Sequence, residues 1–328
     1  MTMVSLGDLA RTLMMQRHVT ATKTAIQQLS QEVTTGLVSD AAAHMRGNLA
    51  PLHALEARLT RLGAYASSAA DLQQRAQAMQ AGLDRLHAGA AGLASDLATA
   101  GSGGAVGLPG MAAAGEAGFL SAVAALNTAL GGRYLFSGTA RDQPPLPAGE
   151  DMLAQLRDHT AGATSLADLQ QRVEAWFADP ATFGYAGTAA GGAIPLGEGE
   201  SLALPVTAAD PAVGQMLAGF ALAALLQDNA LPEAAQADLA AAAGQALQAA
   251  QPGVIALAAQ LGQAEERIAE AQGRTAAESS ALELARVELL KVDDYESATQ
   301  LTAAQDRLDL LFAVTARISG LRLADYLR

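Results

Sequence analysis

The sequence predicts a mainly α fold in which long antiparallel helical rods, or a coiled coil, run from both chain ends and flank a small α+β insert domain. Apolar residues recur at helical spacing over long stretches near both ends. Hydrophobic residues make up 51% of the chain but aromatic residues only 4%, which is typical of slender, alanine-rich helices. Glycine, proline and the single tryptophan concentrate in an interruption in the middle of the chain.

The C-terminal third carries the longest apolar pattern. Small or apolar residues return every seven positions from Leu261 to Leu282, and the pattern resumes after a shift near Lys291. No proline follows Pro252, and a helix of this length needs long helical partners to cover its apolar stripe. The predicted interface residues after the shift are Leu301, Leu308, Phe312, Ile318 and Leu321.

Residues 1–38 are predicted to form a first helix, followed by a linker to residue 49 with some helical turns. The helix carries two short apolar stripes, which lie at its start and near its end. We expect both stripes to pair with the C-terminal helix, because both chain ends carry apolar stripes that need a partner surface. The stripe residues are Leu6, Leu9, Leu13, Ile26, Leu29 and Val33.

Three further helical segments are predicted to form a rod domain. Apolar residues in steps of three and four over residues 51–99 predict a rod, which a glycine-rich turn at residues 101–110 ends. The second segment covers residues 112–130, and the third covers residues 233–290. The most apolar window, residues 216–226, is too short to span a bilayer and predicts a packed helix.

The composition changes after residue 131, where we place the boundary of an insert. Within it we predict a helix over residues 166–177 and strands over residues 183–187 and 201–207. The predicted domains are terminal helices (1–50 and 291–328), a helical rod domain (51–140 and 211–290) and an outward-facing insert (141–210).

Charge and cysteine content exclude several classes of partner. The 20 basic and 33 acidic residues give a net charge of −13, so we expect no nucleic-acid partner. Only two lysines are present, so we expect no membrane-surface binding either. Without cysteine the chain forms neither a disulfide nor a thiolate zinc site. The first residues lack the pattern of a cleaved secretory signal.

The sequence contains no recognisable catalytic or metal-binding pattern, so we expect no enzymatic activity, no cofactor and no metal. The glycine-rich segment 101–104 lacks the lysine of a phosphate-binding loop. His53 and Glu56 have the reverse order of a di-iron helix motif, and we interpret them as a solvent-facing pair. Asp293 and Asp294 point to different helix faces, which favours a hinge or a helix start over a cation site. Ser137 is interpreted as a turn residue.

Three segments resemble the flagellin superfamily of bacterial flagellar axial proteins, and most specifically its hook–filament junction proteins (hook-associated protein 3). They are residues 29–40, residues 292–327 and the segment YLFSGT. The first departs from the family pattern, since no basic residue follows Thr35 and Gly36. The chain end, ISGLRLADYLR, favours a junction protein over flagellin itself. The family motif comprises Tyr134, Leu135, Phe136, Ser137, Gly138 and Thr139.

The resemblance implies a structural subunit that joins the hook-side hook-associated protein to the flagellin filament. The implied partners are further copies of the same chain in a ring, the hook-side protein, flagellin and an export chaperone. The implied location is extracellular, on the flagellum, after export by the flagellar type III route. Flagellin itself, a cytosolic coiled-coil scaffold and a helical-bundle metalloprotein are the alternatives.

Overall fold

The structure, a computed structural model, describes residues 6–103, 108–227, 229 and 231–326. The chain is 73% helix, with nine helices and two small two-stranded sheets among the described residues. The predicted mainly α fold class is therefore confirmed. The chain divides into two compact units, which we call unit 1 (residues 1–62 and 277–328) and unit 2 (residues 63–276). These boundaries differ from the predicted domain boundaries.

The helices and strands follow in this order. The helices are α1 (Leu6–Thr35), α2 (Ala41–His44), α3 (Ala50–Gly103), α4 (Leu108–Leu126), α5 (Gly149–Thr160), α6 (Leu166–Ala178), α7 (Pro211–Ala224), α8 (Glu233–Leu290) and α9 (Asp294–Tyr326). The strands are β1 (Ala129–Leu130), β2 (Arg133–Tyr134), β3 (Ile194–Gly197) and β4 (Glu200–Leu202). β1 pairs antiparallel with β2, and β3 pairs antiparallel with β4.

The shift in the apolar pattern near Lys291 marks a real break between two helices. α8 ends at Leu290, and α9 begins at Asp294. The Asp293 carboxylate accepts hydrogen bonds from the backbone N–H groups of Tyr295 and Glu296, at 3.0 Å each. A carboxylate in this position satisfies amides that have no partner inside the helix. The prediction of a helix start at this aspartate is confirmed.

Unit 2 is organised around α7, which is buried on nearly every side. Its described side chains from Met216 to Ala224 are all buried, as are Leu225 and Leu226. A helix that is apolar all round is typical of the interior of a protein. The prediction of a packed helix in this window is confirmed. α4 packs on one side of α7 and α6 on another.

Two glycines let α4 approach α7 closely. A Cβ atom added at Gly115 would lie 2.6 Å from the Cβ of Ala223, and one at Gly118 would lie 2.7 Å from the ring of Phe220. Real Cβ atoms do not approach other atoms so closely, so a larger residue would force the helices apart. The phenyl ring of Phe220 therefore lies directly on the α4 backbone.

The central segment differs from the sequence prediction in its strands. Residues 183–187 form a turn and an irregular stretch, because the Gly184 amide bonds the Ala181 carbonyl at 3.3 Å and Gly184 has a φ of +78°. Phe183 instead packs against Trp176 and Phe177. The predicted strand over residues 201–207 is limited to β4, and β3 and α5 were not predicted.

The helix predicted over residues 112–130 ends earlier, at Leu126, and β1 follows it. Asn127 explains the difference. Its side-chain amide donates to the Leu146 carbonyl and accepts from the Leu146 N–H, at 3.0 Å in each case. This reciprocal pair fixes the chain where the helix stops. The predicted glycine-rich turn falls partly on residues 104–107, which lie outside the described residues.

Among the described residues, one helix, α4, has the length and apolar composition needed to cross a membrane, and 39% of its most apolar window is buried inside the structure. A core helix of a soluble protein meets the same two criteria. Because α4 packs against α7, its apolar composition has an explanation inside unit 2.

Candidate assembly interface

The two terminal helices of unit 1 meet at a short stretch of paired backbone. The Val38 amide bonds the Leu290 carbonyl at 2.8 Å, and the Val292 amide bonds the Gly36 carbonyl at 3.1 Å. This antiparallel bridge joins the end of α1 to the start of α9. Because α1 runs towards the bridge and α9 runs away from it, the two helices pack as an antiparallel pair.

A half-buried stripe on each helix marks the surface between α1 and α9. The side chains on both stripes are spaced alternately by three and four residues, which is the spacing of a coiled-coil seam. None of them is fully buried, because two helices alone cannot enclose a core. The α1 stripe consists of Met15, Val19, Thr22, Ile26 and Leu29, and the α9 stripe consists of Leu301, Ala304, Leu308 and Leu311.

Further apolar side chains point away from this seam. Leu310 follows Leu301 by nine residues, about two and a half helical turns, and therefore lies on the opposite side of α9. It is 66% exposed, and Tyr295, on the same outer side, is 84% exposed. On α1, Leu13 precedes Thr22 by nine residues and is 49% exposed. We call Leu13, Tyr295 and Leu310 the outer apolar residues.

The predicted interface residues fall into three groups. Ile26, Leu29, Leu301 and Leu308 lie on the half-buried seam. Leu13, Val33 and Phe312 are exposed. The side chains of the remaining four lie outside the described part of the structure; these are Leu6, Leu9, Ile318 and Leu321.

Phe312 lies at the edge of the seam and has a specific partner. The Lys23 Nζ atom lies 5.8 Å from the centroid of its ring, which is within the range of a cation–π contact. Because Lys23 belongs to α1, this contact ties the two helices together along their outer edge. The sequence pattern did not predict it.

Sequence reasoning missed the seam residues Met15, Val19, Ala304 and Leu311. The signal was present, because these residues continue the same alternation of three and four as Ile26 and Leu308.

The motif from Tyr134 to Thr139 lies inside unit 2. Phe136 and Ser137 are completely buried. The Phe136 ring lies against α3, where a Cβ added at Gly82 would be 3.1 Å from it. The motif therefore contributes to the core of unit 2, and Ser137 lies in a turn, as predicted.

Backbone hydrogen bonds connect the motif to two later segments. The Phe136 carbonyl accepts from the Ala208 N–H at 2.9 Å, and the Ser137 carbonyl accepts from the Thr188 N–H at 3.1 Å. The Thr139 N–H donates to the Thr188 hydroxyl at 2.7 Å. These contacts hold two later segments, around Thr188 and Ala208, against the turn of the motif.

Tyr185 closes the same turn. Its hydroxyl donates to the Thr188 carbonyl at 2.7 Å. Burial raises the pKa of the Tyr185 phenol above its ordinary value, and the charge of Asp210 raises it further, while a hydrogen bond with Thr207 acts in the opposite direction. The neutral phenol is therefore the form that fits this site.

The other residues singled out in the sequence do not form a common site. His53 and Glu56 are both exposed on α3. Over residues 6–103, 108–227, 229 and 231–326, no group of three or more His, Asp or Glu side chains could hold a metal ion. The outer apolar residues of α1 and α9 are thus the strongest functional feature of unit 1.

Comparison with known proteins gives no family for this chain. No protein-family model matches it, and no curated protein matches it either.

Proposed function

We propose that the chain is a structural subunit of the bacterial flagellum that joins the hook-side hook-associated protein to the flagellin filament. The observation that carries this proposal is the exposure of apolar side chains on the outer sides of both terminal helices. The segments that resemble hook–filament junction proteins include α9, which carries Tyr295 and Leu310, and the end of α1.

The exposed side chains need a partner for a physical reason. Burial of a leucine side chain contributes about 1.5–3 kcal/mol, and an isolated helix is marginal in water. Apolar side chains on both helices of a pair therefore favour packing against further helices. If those helices belong to copies of the same chain, a repeated contact closes into a ring or extends as a helix.

The finer architecture follows from the same proposal. The terminal helices (residues 1–50 and 291–328) would form the inner layer of the assembly, and the rod helices (51–140 and 211–290) would surround them. The insert (141–210) would face outwards. Long antiparallel rods from both chain ends would then make up these two layers.

The partners and the location belong to the same proposal. The chain contacts other copies of itself, the hook-side protein below and flagellin above. It is exported by the flagellar type III route with the help of a chaperone and functions outside the cell. In this role it has no enzymatic activity and binds no cofactor, nucleic acid or membrane.

The position of labelled protein on intact flagella tests this function directly. Gold-labelled antibodies should bind at one place, between hook and filament. Labelling along the whole filament would identify a filament protein instead. Protein that stays in the cytosol, in cells that export their other flagellar proteins, would identify a scaffold and overturn the proposal.

A pair of variants tests whether the outer apolar residues carry the assembly. In a strain without its own copy, Leu310→Ser should abolish filament attachment and motility while the protein is still exported. The control is Ile255→Ser, because Ile255 is an exposed apolar residue of α8 in unit 2. We expect this control to support normal motility. If the two variants behave alike, the exposed residues of α9 are not an assembly surface.

A further inference from the structure

Three arginines of unit 2 lie around one pair of adjoining pockets. Arg75 comes from α3, Arg133 from β2, and Arg141 from the segment after the motif. All three line a narrow pocket, together with Tyr134 and other residues of the motif. Arg133 and Arg141 also line an open pocket with a volume of about 610 Å³ beside the Gly131–Gly132 turn. The fold thus brings three guanidinium groups from three segments to one place.

Local backbone structure holds Arg133 and Arg141 side by side. The two-residue turn between β1 and β2 uses glycines with φ values of +58° and +76°, which favour the tight hairpin that presents Arg133. The Tyr134 N–H donates to the Arg141 carbonyl at 2.9 Å. Gly191 leaves room for the Arg141 head group, since a Cβ there would lie 3.2 Å from its Nη2 atom.

The hydrogen-bonding capacity of these arginines is only partly used. Arg75 makes a two-point ion pair with Asp71, but its Nη1 atom is buried without a partner among the described residues. Arg141 donates from Nε to the Gly138 carbonyl over a long 3.4 Å. The side chain of Arg133 is exposed and donates to no described residue. Several N–H groups are therefore available to a ligand.

The charges at the site are not balanced by the protein. Asp71 pairs with Arg75, and Asp142 lines the open pocket with Arg133 and Arg141, which leaves one net positive charge among these five groups in a chain of net charge −13. Burial lowers the pKa of Arg141, and the positive charges of Arg75 and Arg133 lower it further. Mutual repulsion of this kind is relieved when an anion binds among the guanidinium groups.

We propose that Arg75, Arg133 and Arg141 form a binding site for a small oxyanion with two or more negative charges, of the phosphate or polycarboxylate class. Planar guanidinium groups bind such oxygens in pairs, and charge-assisted hydrogen bonds of this type are short and strong. The inference goes beyond the proposed assembly role and does not depend on it, because it concerns unit 2 alone.

Calorimetry and thermal unfolding of the purified full chain test this site. The probes are inorganic phosphate and citrate, each at up to about 20 mM in a chloride buffer of constant ionic strength. A ligand that binds only the folded protein raises Tm in proportion to the logarithm of its concentration, by about 2 °C or more here. The two probes distinguish a tetrahedral anion from a carboxylate ligand.

Variants separate specific binding from general salt effects, because phosphate also stabilises proteins by exclusion from their surface. Arg133→Gln removes an exposed arginine and should reduce affinity at least tenfold, and R133Q/R141Q should abolish binding. The matched control is R85Q/R267Q, which removes two exposed arginines elsewhere in unit 2 and should bind like the wild type. Binding of either probe with this pattern supports the proposal. Absence of binding, or equal effects in all variants, overturns it.

Discussion

Helices α7 and α9 are both rich in apolar residues, but they differ in what covers them. α7 lies within unit 2, and nearly all its side chains are buried against α4, α6 and other parts of the same chain. In α9 the described apolar side chains are half-buried or exposed, although α1 packs along one side. The chain itself covers α7 on nearly all sides. Among the described residues, it covers α9 on one side only, through α1.

The contrast shows what a helical apolar pattern can and cannot specify. α7 is apolar on nearly all sides and α9 carries an apolar stripe, but both patterns predict a helix. How far the side chains of a helix are buried depends on how many other elements pack against it. We therefore expect substitutions in unit 2 to affect the isolated protein, and substitutions in the terminal pair to affect mainly its assembly.

The largest expected difference comes from the same substitution in the two regions. Phe220 of α7 is buried against the backbone of α4, so Phe220→Ala should lower the free energy of unfolding by about 3–5 kcal/mol. Phe312→Ala is the matched control, because that ring is 48% exposed and loses mainly its contact with Lys23. It should cost less than about 1 kcal/mol. Chemical denaturation of the monomer measures both, and equal losses would remove the distinction between the two regions.

A second prediction concerns the backbone of the motif. Gly138 has a φ of +66°, and an added Cβ would lie 2.2 Å from the Ala189 carbonyl oxygen. Gly138→Ala should therefore destabilise unit 2 by at least about 2 kcal/mol. Gly262→Ala is the control, since this helical glycine has no atom within 4 Å of the added Cβ, and it should gain up to about 1 kcal/mol. A tolerated Gly138→Ala would mean that the motif is not part of the core.

The third prediction sharpens the comparison inside unit 1. Asp293→Ala removes the cap of α9 and should destabilise that helix by about 1 kcal/mol. Asp294→Ala, one residue further on, should have a smaller effect, because it changes only a charge in the first turn. The fluorescence of Trp176, the only tryptophan, reports on unit 2. Its unfolding midpoint should stay constant in both variants, and a shift would show that the two units unfold together.

The smallest expected effect is a change in the titration of Tyr185. Its folded-state pKa is raised, so the contribution of its neutral form to stability is complete below about pH 10 and is lost as the pH rises through the raised value. Near-ultraviolet absorbance should show that Tyr185→Phe removes a phenolate signal that appears above the ordinary tyrosine range. Loss of a signal at the ordinary pKa instead would place Tyr185 in contact with solvent.

The sequence predicted the long helices and α6 well and the strands of the central segment poorly, for physical reasons. Long stripes such as those on α3 and α8 average over many residues, so single deviations do not hide the period. The short strands depend on contacts that no local pattern contains. Asn127 ends α4 through its hydrogen bonds with Leu146, nineteen positions later. Phe183 packs in an aromatic cluster instead of forming a strand.

The candidate site was predictable only in part. The alternation that identifies Ile26 and Leu308 also identifies Met15 and Leu311, so the seam could have been found in full from the sequence. The outer apolar residues, such as Tyr295 and Leu310, could not be separated from buried ones, because exposure depends on the arrangement of the helices. The arginine cluster joins residues from three distant segments, which only the fold brings together.

Hydrogen exchange of the purified monomer, followed by mass spectrometry, tests the central claim most directly. The claim is that α1 and α9 depend on neighbouring copies for their stability, whereas the helices of unit 2 depend on their own chain. In the monomer, amides of α1 and α9 should exchange far faster than amides of α7 and of the part of α8 before residue 277. Assembly should slow exchange in α1 and α9 only. Equal protection of both groups in the monomer would contradict the account.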